Sequence, residues 1–552
     1  MVHVNFDPLK PFNFDQFGAG AFEGRLYQRG FGRQTGRGLG NVLSSFWRFL
    51  SPVLRDIGKD VGKEALHTSS KMLNNLAESN STNEVKGVLR EGLSSGARNI
   101  LRKTSTRLAQ QSGITVEKMK KIDARSVDTV SSALDTFSLP PTNISVGTSR
   151  INEILTLNPI ETPPYRFRIE SGQSFVDLSK VYLVTTMRLT KMNAEGEVEN
   201  ITAADPVAPI NAIGATFISN MKVILNGQEI YNSNGLNSYK TYLDLLLTYP
   251  KTSVDSYLSA VGWYHTKAQD DVNDPGFQAR RALFVDGDAQ FVTKIFSPLF
   301  TQSRYLCNHS TLELEIEPAK EQYCIVAPNA NDQNAYSLAI ISCKLYTKTL
   351  DLTDGVGVGW NAALLKQPAL YPIRQAEMKH FFVSPTQTEY VATLFTEQIP
   401  RRITMGLIRN ASFSPASRNS PFKFVHGNVR SITVSANGQN YPSAGYQMNF
   451  AENQYIRAFH DLHENVGYAF ANESMSIDRN MFKNGNALYV FNLTTDQEDG
   501  NSFDLIRRGV VTVKIQFTEA VPAGGYVLIV AADHDRVLMV DSSRSVNTDL
   551  TP

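Results

Sequence analysis

His460-Asp461-Leu462-His463-Glu464 is the densest grouping of potential ligands and acid–base groups in this 552-residue sequence. On a helix, His460 and His463 stand one turn apart, so both imidazoles can reach a single ion. The order is not that of HExxH, in which the ligands lie at i and i+4 with the base between them, and no third ligand is evident. A solvated helix turn is the simpler reading. Cys307, Cys324 and Cys343 form no CxxC pair, and an odd number cannot complete a disulfide framework, so they read as reduced, buried thiols. The sequence contains no P-loop, no GxSxG elbow and no HExxH. Carboxylates are abundant, yet nothing local brings two together as a glycosidase requires. The glycine-rich start has no strand before it and no phosphate-binding spacing. The expectation is therefore a chain that is not an enzyme and carries no metal or cofactor.

The elements that would position functional residues point elsewhere. A chain of this length exceeds what one core supports, since single cores stop growing near about 250 to 300 residues. Two large domains plus an appendage are expected. Hydrophobic residues make up 42% and charged residues 19% of the chain. The charged share is below the usual figure of about 25%, in keeping with surfaces that end against other subunits. No run of 18 apolar residues occurs, and the first residues lack the charged-then-apolar layout of a signal peptide, so synthesis in the cytosol is expected.

The net charge of +1 hides a segregation. Residues 1–125 hold 20 Lys/Arg against 11 Asp/Glu, leaving the arm at +9 and the remainder at −8. An arm charged in this way seeks an anionic partner: nucleic acid, a membrane, or the acidic body itself. Residues 1–40 are rich in Gly and Arg, and little of such backbone can be fixed at acceptable entropy. From 41 to 57 the pattern becomes helical. At 100° per residue, Val42, Leu43, Phe46, Trp47, Phe49, Leu50, Val53, Leu54 and Ile57 fall on one arc of about 160°, opposite Ser44, Arg48, Ser51 and Arg55. Such a helix either packs on the body or inserts into a bilayer interface, with Trp47 between Phe46 and Phe49 favouring insertion. A second helical tract, 84–110, is more basic and uses smaller apolar residues.

After about residue 135 the helical period largely disappears and period-two strands replace it. Tyr182-Val184-Thr186-Arg188 is one. Another is Leu312-Leu314-Ile316 alternating with Glu313-Glu315-Glu317, and Val511-Val513-Ile515-Phe517 repeats the pattern. Gly, Pro, Asn and Asp clusters between them are the signature of antiparallel sandwiches. The body also repeats itself. Asn226-Gly227-Gln228 before Tyr231 is echoed by Asn437-Gly438-Gln439 before Tyr441, each an Asn-Gly hairpin. Thr311 to Ala319 is echoed by Val510 to Ala520. The reading is a mainly β chain with a basic arm (1–130), a first barrel (131–353), a glycine-marked linker (354–367), a second barrel (368–545) and a C-terminal tail (546–552).

Two resemblances attach to these residues. Residues 1–75 resemble the precursor of adenovirus protein VI through Val4-Asn5-Phe6, Gly18-Ala19-Gly20-Ala21-Phe22, and Phe46-Trp47 followed by Gly58 and Gly62. That resemblance implies a membrane-lytic helix and cleavage by a viral cysteine protease at Gly20 and Ala21. Phe17 and Ala19 depart from the protease pattern, which expects an aliphatic residue and Gly. The body is similar to the major capsid proteins of Polinton/Maverick elements and adintoviruses. The similarity lies in Leu134-Asp-Thr-Phe-Ser-Leu-Pro-Pro141, Val223-Ile-Leu-Asn-Gly-Gln228, Tyr239-Lys-Thr-Tyr-Leu243, Ser303-Arg-Tyr-Leu306, Tyr371-Pro-Ile-Arg374 and Tyr455-Ile-Arg-Ala-Phe459.

This second resemblance implies a double jelly roll: two tandem antiparallel jelly-roll barrels preceded by a flexible, partly helical arm. It also implies a homotrimer resembling the adenovirus hexon, tiling an icosahedral shell. The partners it implies are further copies in the capsid lattice, penton and minor capsid proteins and a viral cysteine protease, with the host membrane and viral DNA as partners of the arm. The place it implies is the virion, assembled in the host nucleus or cytoplasm. The rival readings are a carbohydrate-binding or hydrolytic double β-sandwich, and a host DNA-binding protein using the basic arm.

Overall fold

The structure is a computed structural model, and it describes residues 142–549 apart from 194–195, 330–331, 333, 414–418 and 498–502. Segments 41–57 and 84–110 and the cleavage candidate at Gly20 and Ala21 lie outside the described residues.

Alternation of apolar and polar side chains builds the strands. In Thr311–Pro318, Leu312, Leu314 and Ile316 are buried while the intervening glutamates face outward, and Val511–Phe517 does the same with Val511, Val513, Ile515 and Phe517. Among the described residues sixteen main strands result. The first eight are β1 (Val146–Leu155), β2 (Tyr165–Glu170), β3 (Phe175–Met192), β4 (Ile218–Leu225), β5 (Gln228–Asn232), β6 (Asp288–Lys294), β7 (Thr311–Pro318) and β8 (Ala335–Leu352). The next eight are β9 (Ala369–Val383), β10 (Glu389–Phe395), β11 (Arg402–Arg409), β12 (Val429–Ala436), β13 (Gln439–Tyr441), β14 (Leu488–Asn492), β15 (Val511–Phe517) and β16 (Tyr526–Val540).

The first set forms sheets in the order β1-β8-β3-β6 and β2-β7-β4-β5, the second in the order β9-β16-β11-β14 and β10-β15-β12-β13. Adding eight to every strand of the first pair gives the second. Neighbouring strands run antiparallel throughout, as in the unbroken fifteen-residue register of β9 on β16 from Ala369↔Val540 to Val383↔Tyr526. Two four-stranded sheets in this order are a jelly roll, so the chain is a double jelly roll. Each roll closes on its own inward residues. Phe167, Leu183, Met187, Val223 and Leu314 fill the first, and Ile403, Met405, Val434, Val513 and Leu528 the second, all buried. Val546–Asp549, read from the sequence as tail, adds a short strand beside β16 because Val546 pairs with Val540 across a tight turn.

The body also contains helices in stretches where the sequence shows little helical period. The β5–β6 connection carries α1 (Asn237–Thr248) and α2 (Pro275–Ala282), and between the barrels lies α3 (Asp354–Leu364). The matching β13–β14 connection carries α4 (Ile456–Val466) and α5 (Arg479–Asn484). In α1 every residue from Asn237 to Leu247 is buried, so no polar face exists to betray a period. The glycine-marked connection is the helix α3, pinned where Trp360 meets Phe175 edge-on at 4.9 Å. Asp274 starts α2 by accepting from the Gly276 and Phe277 amides, with Pro275 at the first position.

Candidate functional site

The histidine pair lies on α4, and the helix does not make it a ligand set. His463 is buried rather than solvated. Its Nδ1 lies 2.9 Å from the Phe459 carbonyl and its ring against Phe459, and burial lowers its pKa. Asp461 accepts from the Tyr446 hydroxyl at 2.7 Å, and the His460 ring meets Phe470. Among the described residues no three His, Cys, Asp or Glu side chains are grouped so as to hold a metal. Cys307, Cys324 and Cys343 are buried free thiols, and burial pushes those of Cys324 and Cys343 up to about 12. Thiols held that high stay protonated and are poor nucleophiles.

What the fold assembles instead is a seam joining the two barrels. From α1, Tyr242 stacks on Phe422 with ring centroids 4.2 Å apart and planes 6° from parallel, while Tyr239 meets the same ring edge-on at 5.7 Å. The Asp270 carboxylate accepts from the Ser420 amide (2.6 Å) and Lys423 Nζ (2.9 Å). Arg544, in the turn after β16, reaches back to the Asn308 carbonyl (2.7 Å) and Oδ1 (2.6 Å), and the Tyr371 hydroxyl accepts from the Cys307 amide (3.0 Å). These contacts bury aromatic area and join the two barrels by hydrogen bonds and an ion pair.

A line of buried charge runs beneath the seam. Register places Arg402 opposite Asp533 and Arg374 opposite Asp535. Arg402 Nη2 lies 2.9 Å from Asp533 Oδ2, Arg401 Nη1 3.2 Å from Asp535 Oδ2, and Arg374 Nε 3.5 Å from Asp535 Oδ1. Facing them, Lys240 pairs with Asp244 at 2.5 Å and donates to the Phe296 carbonyl at 2.8 Å. Burial works against the Lys240 ammonium, but Asp244 holds it above the ordinary lysine value. Sequence reading missed these residues. The available signal was the Arg401-Arg402 pair at a strand start together with Asp533 and Asp535 two apart, a spacing that puts both carboxylates on one face.

The hairpin residues sit at matched places. Asn226 and Gly227 turn β4 into β5 with φ of 50° and 84°, and Asn437 and Gly438 turn β12 into β13 with φ of 49° and 83°. Both are the left-handed two-residue turn that Asn-Gly favours.

Two features face outward. Strand β1 pairs with β8 alone, and Gly147 to Glu153 are exposed on both faces, with Ile151 among them. The two long connections meet each other, through the Tyr468 hydroxyl on the Thr248 carbonyl (2.6 Å) and the Lys251 amide on the Ser474 carbonyl (3.0 Å). Each displays an exposed aromatic, Tyr257 and Phe470, and Phe470 is 98% exposed.

No known family profile matches the chain. Over 420 residues, 74% of this chain and 99% of the relative, it is 27% identical to the uncharacterized protein F54H12.2 of Caenorhabditis elegans. Among solved structures it resembles the 3.5 Å cryo-EM structure of the Sputnik virophage, with a TM-score of 0.55 at 10% identity over 77% of this chain and 93% of that one. It also aligns with the Faustovirus major capsid protein (TM-score 0.49, 9% identity, 80% and 98% covered) and the mavirus major capsid protein (0.45, 12%, 77% and 96%). The likeness to the virophage chain is one of fold.

Proposed function

We propose that this chain is the major capsid protein of a double jelly-roll virus or virus-like element. In this reading it is a subunit that trimerises and tiles an icosahedral shell. The observation that carries the reading is the duplication itself: β1–β8 and β9–β16 repeat one strand order and are locked side by side by a buried seam. Three such two-barrel blocks around an axis present six similar barrels, a pseudo-hexagonal outline that tiles a surface. The fold likeness to the virophage chain supports it. The Polinton/Maverick and adintovirus assignment belongs to the same proposal, and a relative in a nematode supports it, since an integrated element leaves its genes in animal chromosomes.

The arm completes the proposal. Residues 1–130 lie inside the shell, where the apolar arc of 41–57 disrupts a host membrane on release or stabilises the capsid interior, and the basic residues contact viral DNA by counterion release. A viral cysteine protease cuts at Gly20 and Ala21, and penton and minor capsid proteins complete the virion. Negative-stain microscopy of the purified protein tests the reading: pseudo-hexagonal trimers or closed shells support it, and a featureless monomer rejects it.

A further inference from the structure

The two barrels do not cover the same face. In the second, the outward residues of sheet β9-β16-β11-β14, among them Arg402, Thr404, Ile408, Val527 and Ile529, are buried. Over the Arg402–Asp533 pair the cover comes from the first barrel, whose helix α1 sets Lys240 and Asp244 against it.

The matching sheet of the first barrel, β1-β8-β3-β6, is open. Tyr182 begins the β3–β6 ladder opposite Lys294 as Arg402 begins the β11–β14 ladder opposite Asn492, and Tyr346 stands across from Tyr182 as Asp533 does from Arg402. Two tyrosines thus occupy the place of the buried ion pair, stacked at 5.0 Å with planes 8° apart. The Tyr346 hydroxyl donates to Glu153 at 2.6 Å, and Lys344 Nζ lies 2.9 Å from the same carboxylate. Around them Val184 and Val292 are half-buried, and Ile151, on the same side of the sheet, is 65% exposed.

Helix α1 has its own counterpart. Lys240-Thr-Tyr-Leu-Asp244-Leu245 is echoed in α4 by Arg457-Ala-Phe-His-Asp461-Leu462, with base, aromatic, acid and leucine at the same spacing and in the matching connection. Each helix pairs its base with the acid one turn on, Lys240 with Asp244 at 2.5 Å and Arg457 with Asp461 at 4.0 Å. The first pair is buried in the seam, whereas the Arg457 side chain is 49% exposed.

We infer that the Arg457–Asp461 face of α4 in one copy packs on the open sheet around Tyr182 and Tyr346 of a second copy, repeating between chains the contact that joins the barrels within one. The seam uses unlike patches, a helix side of the first barrel on a sheet face of the second. It therefore leaves one helix side and one sheet face of each chain to take the same step with neighbours. Such a head-to-tail contact closes into a ring. The occupant is another copy because the covered sheet of this same chain shows what covers its open twin. Charge suits the match, since Arg457 brings a cation to a face that carries Glu153 and two tyrosine rings. This inference rests on the capsid reading and names the surfaces that would meet in it.

The test compares the full-length chain with Ile151→Asp and Arg457→Asp by sedimentation velocity. Both positions are exposed, and Arg457 lies in the first turn of α4, where an acidic residue is favoured. Circular dichroism of each variant is expected to match the parent. Each is expected to self-associate at least about thirtyfold more weakly than the parent, as loss of a central interface residue does. Mixing the two leaves one intact helix side facing one intact sheet, so a one-to-one pair is expected that neither forms alone. If the parent associates and the variants associate equally well, or the mixture forms no pair, the contact is wrong while the capsid reading stands. A parent that stays monomeric overturns both.

Discussion

Asn226 and Asn437 make the same two bonds at the same point of two successive barrels. The Asn226 amide donates to the Thr311 carbonyl at 2.8 Å, and Asn226 Oδ1 accepts the Thr311 amide at 2.8 Å. The Asn437 amide and Oδ1 hold Val510 in the same way, both at 3.2 Å. In each barrel the turn after the fourth strand thereby fixes the start of the seventh, β7 or β15. The third bond of each side chain differs: Asn226 Nδ2 donates to the Arg544 carbonyl across the seam, Asn437 Nδ2 to the Arg508 carbonyl in its own barrel.

That difference yields an ordered prediction. Replacing either Asn by Ala puts a Cβ-bearing residue without local hydrogen bonding at positive φ and orphans an amide, at a cost of about 1 to 3 kcal/mol. Asn226→Ala is expected at the upper end, since it also loosens the seam, and Asn437→Ala, at an exposed turn, at the lower. Urea unfolding of both variants measures the order.

The seam gives a larger effect. Tyr242→Ala removes the ring stacked on Phe422 and a hydroxyl that accepts from Gln269 Nε2 at 3.1 Å. A loss of about 3 to 5 kcal/mol is expected, as for other large buried aromatics. Thermal unfolding by calorimetry measures it, and a Tyr242→Phe variant, which keeps the stack, is expected to lose far less.

Much of this architecture is legible in the chain, and the reasons for the remainder are physical. Strands with one apolar face, such as β7 and β15, declare themselves, and Asn-Gly turns mark hairpins. Where both faces carry apolar residues the phase is lost. In β3 the outward residues are Tyr182, Val184, Thr186 and Arg188, while Leu183, Thr185 and Met187 point into the barrel. Helix α1 escapes notice because it is buried all round, Lys240 and Asp244 included. The glycines of α3 disguise a helix held by Trp360. Arg401 and Arg402 are made interior by partners more than a hundred residues away, which no local pattern encodes. The exposure of Phe470 depends on what its neighbours leave uncovered, which no local pattern encodes.

A buried histidine predicts a pH dependence. His534 on β16 faces the inside of the second barrel, near Glu377 (3.6 Å), Lys379, Arg536, Asp533 and the Phe395 ring. Burial lowers its pKa from 6.5 to about 4. Because the unfolded chain takes up the proton first, the stability this residue confers is complete above pH 6.5 and declines as pH falls toward 4, by roughly 3 kcal/mol. Urea titrations at pH 7.5 and 4.5 are expected to show that loss, and His534→Phe is expected to reduce it.

The arm is tested apart from the body. A synthetic peptide of residues 41–57 is expected to release dye from anionic vesicles, and its Trp47→Glu variant to release little, because a carboxylate in place of the arc's indole opposes burial in the interface. Equal release by both rejects the membrane role.

The duplicated barrels matter to function only if copies associate, and solution mass measures this most directly. Light scattering coupled to size exclusion, run over a wide concentration range on the full chain, is expected to report three times the 61.3 kDa chain mass or a larger closed assembly. A mass of 61.3 kDa that persists at the highest concentration would contradict the account.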